Sequence, residues 1–205
     1  MAFARPLVLV LVFAACSSAA APETTAPTTD PPGSTILSNQ GGALEGHTPR
    51  GFAGMGTGLF AGDNLNPNFP DGDGIQIYLT FEAGSLASVS SAELSSDALT
   101  VRGTPFADLG PLSAEPVRYD VFGPALFDLD AIGPAVACRR SEPSRITCDV
   151  TDSVRFALDA GETRFQFRLR FDKAGDGDGR PDLAMFFATE SNTNQPGIFM
   201  LTLTG

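Results

Sequence analysis

The residues with chemistry to offer are concentrated in one stretch, Asp172-Lys173-Ala174-Gly175-Asp176-Gly177-Asp178-Gly179-Arg180-Pro181-Asp182-Leu183. Carboxylates at near-alternate positions, with glycines that let the backbone wrap tightly, suit Ca²⁺, which takes about six to eight oxygen ligands. Asp172, Asp176, Asp178 and Asp182 are therefore candidate metal ligands, and a structural Ca²⁺ is the cofactor expected. The plain alternative is an acidic, glycine-rich hairpin loop that holds no ion. A second candidate loop runs from Asp63 to Gly74 and offers Asp63, Asp71 and Asp73 among asparagines. Asn side chains serve equally well in Asx turns, where they bond their own backbone.

Most other chemistries lack their residues. One histidine, three cysteines and no tryptophan exclude histidine triads, multi-histidine metal sites and a four-cysteine zinc site. The net charge of −11 sets every phosphate contact against a repulsive field, so nucleic acid is not an expected partner. His47 stands outside any periodic segment with no partner base and reads as a solvated loop residue. Cys138 and Cys148 flank Arg139 to Thr147, and a hairpin with Pro143 near its tip would set them opposite each other. In an exported protein such a pair is expected as a disulfide. A redox or nucleophilic role would need a base or a Cys-x-x-Cys spacing, and neither is present. Arg139, Arg140 and Arg145 form a basic spot on an acidic chain. No nucleophile–base pair is visible, so no enzymatic activity is expected.

Residues 176–184 also resemble the calcium loop of FG-GAP repeats. That resemblance implies Asp176, Asp178 and Asp182 as ligands, with the Arg180 carbonyl between them. The family pattern begins with an Asp where this chain has Ala174, and Asp172 is the nearest replacement. No second copy is present, which excludes a repeat propeller.

The N-terminus reads as an address. Arg5, the apolar run Leu7 to Phe13 and the small residues Ala14 and Ala15 are the three regions of an export signal. The apolar run is too short for a membrane-spanning helix, which needs about 20 residues. Phe13-Ala14-Ala15-Cys16 resembles a bacterial lipobox, which implies a signal peptide over 1–15 and lipidation of Cys16. An ordinary cleavage near Ala15 or Ala20 is the alternative. Residues 16–35, rich in Thr, Pro, Ala and Ser, cannot bury enough apolar area to offset their ordering entropy and read as a disordered tether. Cleavage removes Arg5 and leaves the remainder more acidic still, so the link to an anionic membrane would run through the lipid alone.

From residue 36 to 205 the pattern predicts one all-β domain. Ile75, Ile77, Leu79 and Phe81 alternate with polar residues, as do Phe165, Phe167, Leu169 and Phe171. Val117, Tyr119 and Val121 repeat the alternation briefly, Leu183, Met185 and Phe187 do so again, and Phe199, Leu201 and Leu203 follow. Gly/Pro-rich clusters punctuate these runs. Residues 151–161 are the exception: Thr151 or Asp152 can cap a short helix, Val154 and Leu158 share a face, and Gly161 stops it. The expected architecture is a jelly-roll β-sandwich of about eight to ten strands with one short crossing helix.

Tyr78-Leu79-Thr80-Phe81-Glu82, Ser85-Leu86 and Val89-Ser90-Ser91-Ala92-Glu93-Leu94 resemble the opening of the extracellular jelly-roll modules called DNRLRE domains. Residues 149–154, the Phe-rich run 165–171 and Phe187 to Ser191 resemble their closing half. The family's Trp-Thr-Glu stretch has no counterpart here. The resemblance implies a carbohydrate-binding or cell-surface module. The function expected is that of a lipid-anchored, calcium-stabilised cell-envelope protein for surface binding or adhesion, facing the periplasm or the cell exterior. Surface polysaccharide or another envelope protein is its expected partner. A carbohydrate-binding module is the first alternative and a polysaccharide-active enzyme the second.

Overall fold

The protein is described by a computed structural model over residues 34–38, 45–54, 58–65, 74–84, 86–141, 143–187 and 198–205. Strands make up 46% of it and helices 13%, in three antiparallel sheets that form an all-β sandwich. The first sheet has the order β1 (Ser34–Ser38), β13 (Met200–Thr204), β5 (Ser91–Ser96), β10 (Arg145–Asp149), β9 (Arg139–Ser141). The second runs β2 (Glu45–Thr48), β4 (Gln76–Glu82), β11 (Arg164–Phe171), β7 (Leu112–Pro116), β8 (Val136–Ala137). The third is β3 (Gly58–Asp63), β12 (Asp182–Phe187), β6 (Leu99–Arg102). The thirteen strands of the described residues outnumber those expected, in part because the chain changes sheets within two of the runs. Asp97 and Ala98 separate β5 from β6, and Cys138 separates β8 from β9 as the chain changes sheets. Among the described residues no helix is long and apolar enough to cross a membrane.

All three sheets share one core. Ile77, Leu79 and Phe81 of β4 meet Phe165, Phe167, Leu169 and Phe171 of β11 there, with Leu94, Ile146 and Leu201 from the first sheet and Leu59 and Phe186 from the third. The period of two read in β4 and β11 is therefore the core face. In β12 the phase differs from expectation: Ala184 and Phe186 face the core, Met185 is half-buried and Phe187 is exposed. Sequence alternation alone does not fix the phase in so short a run of consecutive apolar residues.

The outer face of β4 and β11 is buried as well, under an irregular strap over residues 117–135. Val117, Tyr119 and Val121 are not a strand; the strap contains a 3₁₀ turn at Pro124–Asp128, and Val121 is exposed. Tyr78, Val117 and Leu126 form a second small apolar cluster beneath it, joined by Tyr119, Phe122 and Leu129. Gln166 holds the strap as a strand would: its Oε1 accepts the Tyr119 N–H at 3.0 Å and its Nε2 donates to the Tyr119 carbonyl at 2.9 Å. Burial pushes the Tyr119 phenol up to about 12 against the hydrogen bond with Thr80, so its hydroxyl stays protonated. Glu115 and Arg168 are also buried on this face as an ion pair, and Arg170 closes on the other Glu115 oxygen.

Helix α2 (Thr151–Asp159) follows β10, and Gly161 closes it by donating to the Leu158 carbonyl. Its start is held differently from expectation. Asp149, two residues earlier, accepts both the Thr151 N–H and the Thr151 hydroxyl, and Thr151 Oγ1 accepts the Ala92 N–H. Cys138 and Cys148 form the expected disulfide, with Pro143 in the β9–β10 turn. His47 is not a loop residue. It lies on β2 opposite Ile77, its ring edge-on to Phe60 at 5.0 Å, and burial lowers its pKa.

Candidate functional site

The acidic residues meet at one end of the third sheet. β3 ends at Asp63 and β12 begins at Asp182, and the register sets these two directly opposite. Directly paired residues project from the same face of a sheet. Two carboxylates therefore stand side by side there, with Asp63 4% exposed and Asp182 2%. On the other flank of β12, β6 ends at Arg102 and the chain turns at Gly103 into Thr104 and the one-turn helix α1 (Pro105–Asp108). Gly103 has φ 71°, and a Cβ on it would overlap Asp182 Oδ1 and the Pro181 carbonyl. Only a residue without a side chain allows the turn to sit this close to the carboxylate. The Thr104 N–H consequently donates to Asp182 Oδ1 at 2.6 Å. Asp182 Oδ2 is buried and has no hydrogen-bond partner among the described residues.

Asp108 closes α1, and its carboxylate accepts the Thr104 hydroxyl. Lys173 Nζ donates to the Asp108 carbonyl, and the Lys173 N–H to the Leu109 carbonyl, which ties the start of the β11–β12 loop to α1. The loop then folds back over the strand ends. Gly175 lies against Asp63, where a Cβ would stand 2.7 Å from Asp63 Oδ2. Asp176 follows, and one carboxylate oxygen each from Asp108, Asp176 and Asp182 lie within 4.8 Å of one another. Ca²⁺–oxygen bonds of about 2.3–2.6 Å allow two ligands of one ion to be separated by up to roughly 5 Å, so a single Ca²⁺ fits this spread. All the donors are oxygen, which suits a hard cation and not a thiolate- or imidazole-seeking one.

Of the residues the sequence proposed, Asp176 and Asp182 are brought together. Asp178 and Arg180 are exposed and engaged in the turn itself: Asp176 Oδ1 accepts the Asp178 N–H at 2.9 Å, and Asp178 Oδ1 accepts the Arg180 N–H at 2.7 Å. Asp172 stands beside Gly110 and is not a member of the triad. Asp63 of the second loop lies at the same strand ends, whereas Asp71, Asp73 and Cys16 fall outside the described residues. Asp108 was missed. Its only local signal is a Thr-Pro helix start with an acid four residues after the Thr, which reads as a helix terminus and not as a ligand.

A concave region lies beside helix α2. Helix α2 and residues 132–136 bound a groove of about 630 Å³ lined by Phe156, Ile132, Pro134 and Val136, with Asp149 and Ser153 among its polar groups. Hydrogen bonds from Thr151 hold the Asp149 carboxyl below the usual range. Arg155 is committed to the Val89 and Ser90 carbonyls.

No protein-family model matches this chain, and no curated protein matches it.

Proposed function

We propose that the protein is exported, anchored through a lipid on Cys16, and presents its β-sandwich for non-enzymatic binding or adhesion at the cell envelope, with calcium as a structural cofactor. The observation that carries this reading is the Cys138–Cys148 disulfide. Such bonds persist in oxidising compartments and are rare in a reducing cytosol. It accords with the export signal and with the lipobox ahead of a tether, and the resemblance to DNRLRE-type surface modules belongs to the same reading. Metabolic labelling with an alkynyl fatty acid tests the anchor. The protein is expected to take up label, and Cys16→Ser to abolish it. Label retained by the variant, or none in the parent, would overturn the lipid anchor. Protease shaving of intact cells then reports whether the sandwich faces outward.

Carbohydrate binding is the second reading, and one feature favours it. An aromatic strip lies over β2, β3 and β12, in which the Phe60 ring stands 5.0 Å from His47 and 5.6 Å from Phe187. Phe187 is 40% exposed, and Phe52, 47% exposed, lies nearby against Gly54. Exposed ring faces are what pyranoses stack on. A glycan array probed with the parent and with Phe187→Ala tests it: a signal lost in the variant supports a sugar platform, and no signal with either removes it.

A further inference from the structure

We infer that Asp108, Asp176 and Asp182 together ligate one Ca²⁺, which fastens α1 to the β11–β12 loop at the end of the third sheet. This deepens the reading of a calcium-stabilised exported protein and rests on it for the supply of calcium. It departs from the sequence in its ligands: Asp108 enters from a helix, and Asp172 and Asp178 are left out.

Two independent observations carry it. The first is convergence from distant parts of the chain. Asp108 lies on α1, Asp176 in the β11–β12 loop and Asp182 on β12, yet one oxygen from each falls within 4.8 Å of the others. Local low complexity cannot produce this, because Asp108 is far from the acidic run. Asp63, directly across from Asp182, adds a fourth carboxylate to the same face. The second is Asp182 itself. It is 2% exposed, its Oδ1 is satisfied by Thr104, and its Oδ2 has no partner among the described residues. A carboxylate is an acceptor only, and a buried oxygen without a donor keeps its desolvation cost in full. A cation supplies the missing partner. Lys173 does not, since its ammonium is directed to the Asp108 carbonyl and not to a carboxylate.

Asp176 and Asp178 are both exposed and each accepts the N–H two residues on, but only Asp176 places a carboxylate oxygen within 4.8 Å of those of Asp108 and Asp182, so Asp178 is left out. Calcium is favoured over Mg²⁺ because the site is made from carboxylates on a glycine-rich loop. Such a loop accommodates a large, irregular shell better than a small octahedral one.

The test is calorimetric titration of the intact protein, stripped with EDTA, with CaCl₂. One saturable site is expected, with Kd on the order of 10⁻⁵ to 10⁻³ M, from the weak limit of sensor sites to the range of extracellular modules. Asp108→Asn and Asp182→Asn should each weaken it by about tenfold or more, while Asp178→Asn stays within about threefold. Asp108 is only half-buried, so its variant keeps the test decisive if Asp182→Asn fails to fold. Affinity lost in Asp178→Asn and retained in Asp108→Asn would overturn this ligand set while leaving a calcium-stabilised protein. Absence of any saturable Ca²⁺ binding by the folded parent at 5 mM, roughly fivefold above the weakest expected Kd, would overturn both.

Discussion

Glu115 is the residue on which the covered face of the sandwich depends. Arg168 donates to its Oε2 at 2.7 Å through Nε, and Arg170 to its Oε1 at 2.9 Å through Nε and 2.8 Å through its terminal nitrogen. Burial alone would raise the Glu115 carboxyl, but the hydrogen bonds from Arg170 and Arg168 and their charges outweigh it and hold it below its ordinary 4.5. A folded-state pKa below the unfolded one gives stability that is present above about pH 4.5 and is lost as pH falls through the lowered value. Glu115→Gln should remove this part of the acid limb. It should also cost about 3 kcal/mol at neutral pH, because Arg168 is left charged and buried without its partner. Urea melts at pH 7 and pH 3.5 check both statements. An unchanged midpoint at pH 7 would show the pair to be dispensable. None of this was legible in the alternation of β11, where Arg168 is one of the polar residues between the apolar ones and nothing marks it as buried. Asp108 was hidden for a related reason: a ligand contributed by a single residue on a one-turn helix leaves no spacing to find.

The strap over residues 117–135 is the element that made those positions interior. The inward halves of β4 and β11 could be read because a strand's period of two is a repeating signal. The strap has no period, and its attachment is made by single side chains. Tyr78 provides one of them, with its hydroxyl 2.5 Å from the Leu126 carbonyl and 2.7 Å from Gln76 Oε1 of its own strand. Tyr78→Phe should cost about 1–3 kcal/mol, because the hydroxyl's single proton is lost and a buried acceptor is left unsatisfied. The loss should be local, so brief trypsin treatment of the native variant should cut after Arg118 faster than in the parent. Equal cleavage rates would mean that the strap is held without Tyr78, by its apolar contacts and by the bonds from Gln166 and Arg168. The hairpin β9–β10 behaves differently because its constraint is covalent. Its position was legible, since two cysteines flanking a turn-forming Pro have few ways to meet. Replacing both Cys138 and Cys148 with Ala should lower stability by about 3 kcal/mol on the chain-entropy account of so small a loop. A melting temperature unchanged in the double variant would contradict this.

For the molecule as a whole, a net charge of −11 means that the folded state works against its own repulsion. Raising NaCl from about 10 to 200 mM, which shortens the screening length from roughly 30 Å to under 10 Å, should raise the melting temperature. The rise should be gradual, unlike a saturable response to calcium, and a melting temperature indifferent to NaCl would show the charges to be spread too widely to matter. The large-scale architecture followed from composition and punctuation, because many short alternating runs divided by Gly and Pro leave few options besides a sandwich. The way its edges close did not, and one of those edges has a mechanical meaning. β1 is an outer strand whose five residues pair in antiparallel register with β13, from Ser34 opposite Thr204 to Ser38 opposite Met200. A pull arriving through the residues before Ser34 and directed along β1 loads these pairings together, in shear. The same pull turned perpendicular to the strand would part them one after another, beginning at Ser34. How firmly the domain would withstand a pull from that side is then decided by the angle at which the load enters β1, a property of orientation and not of affinity.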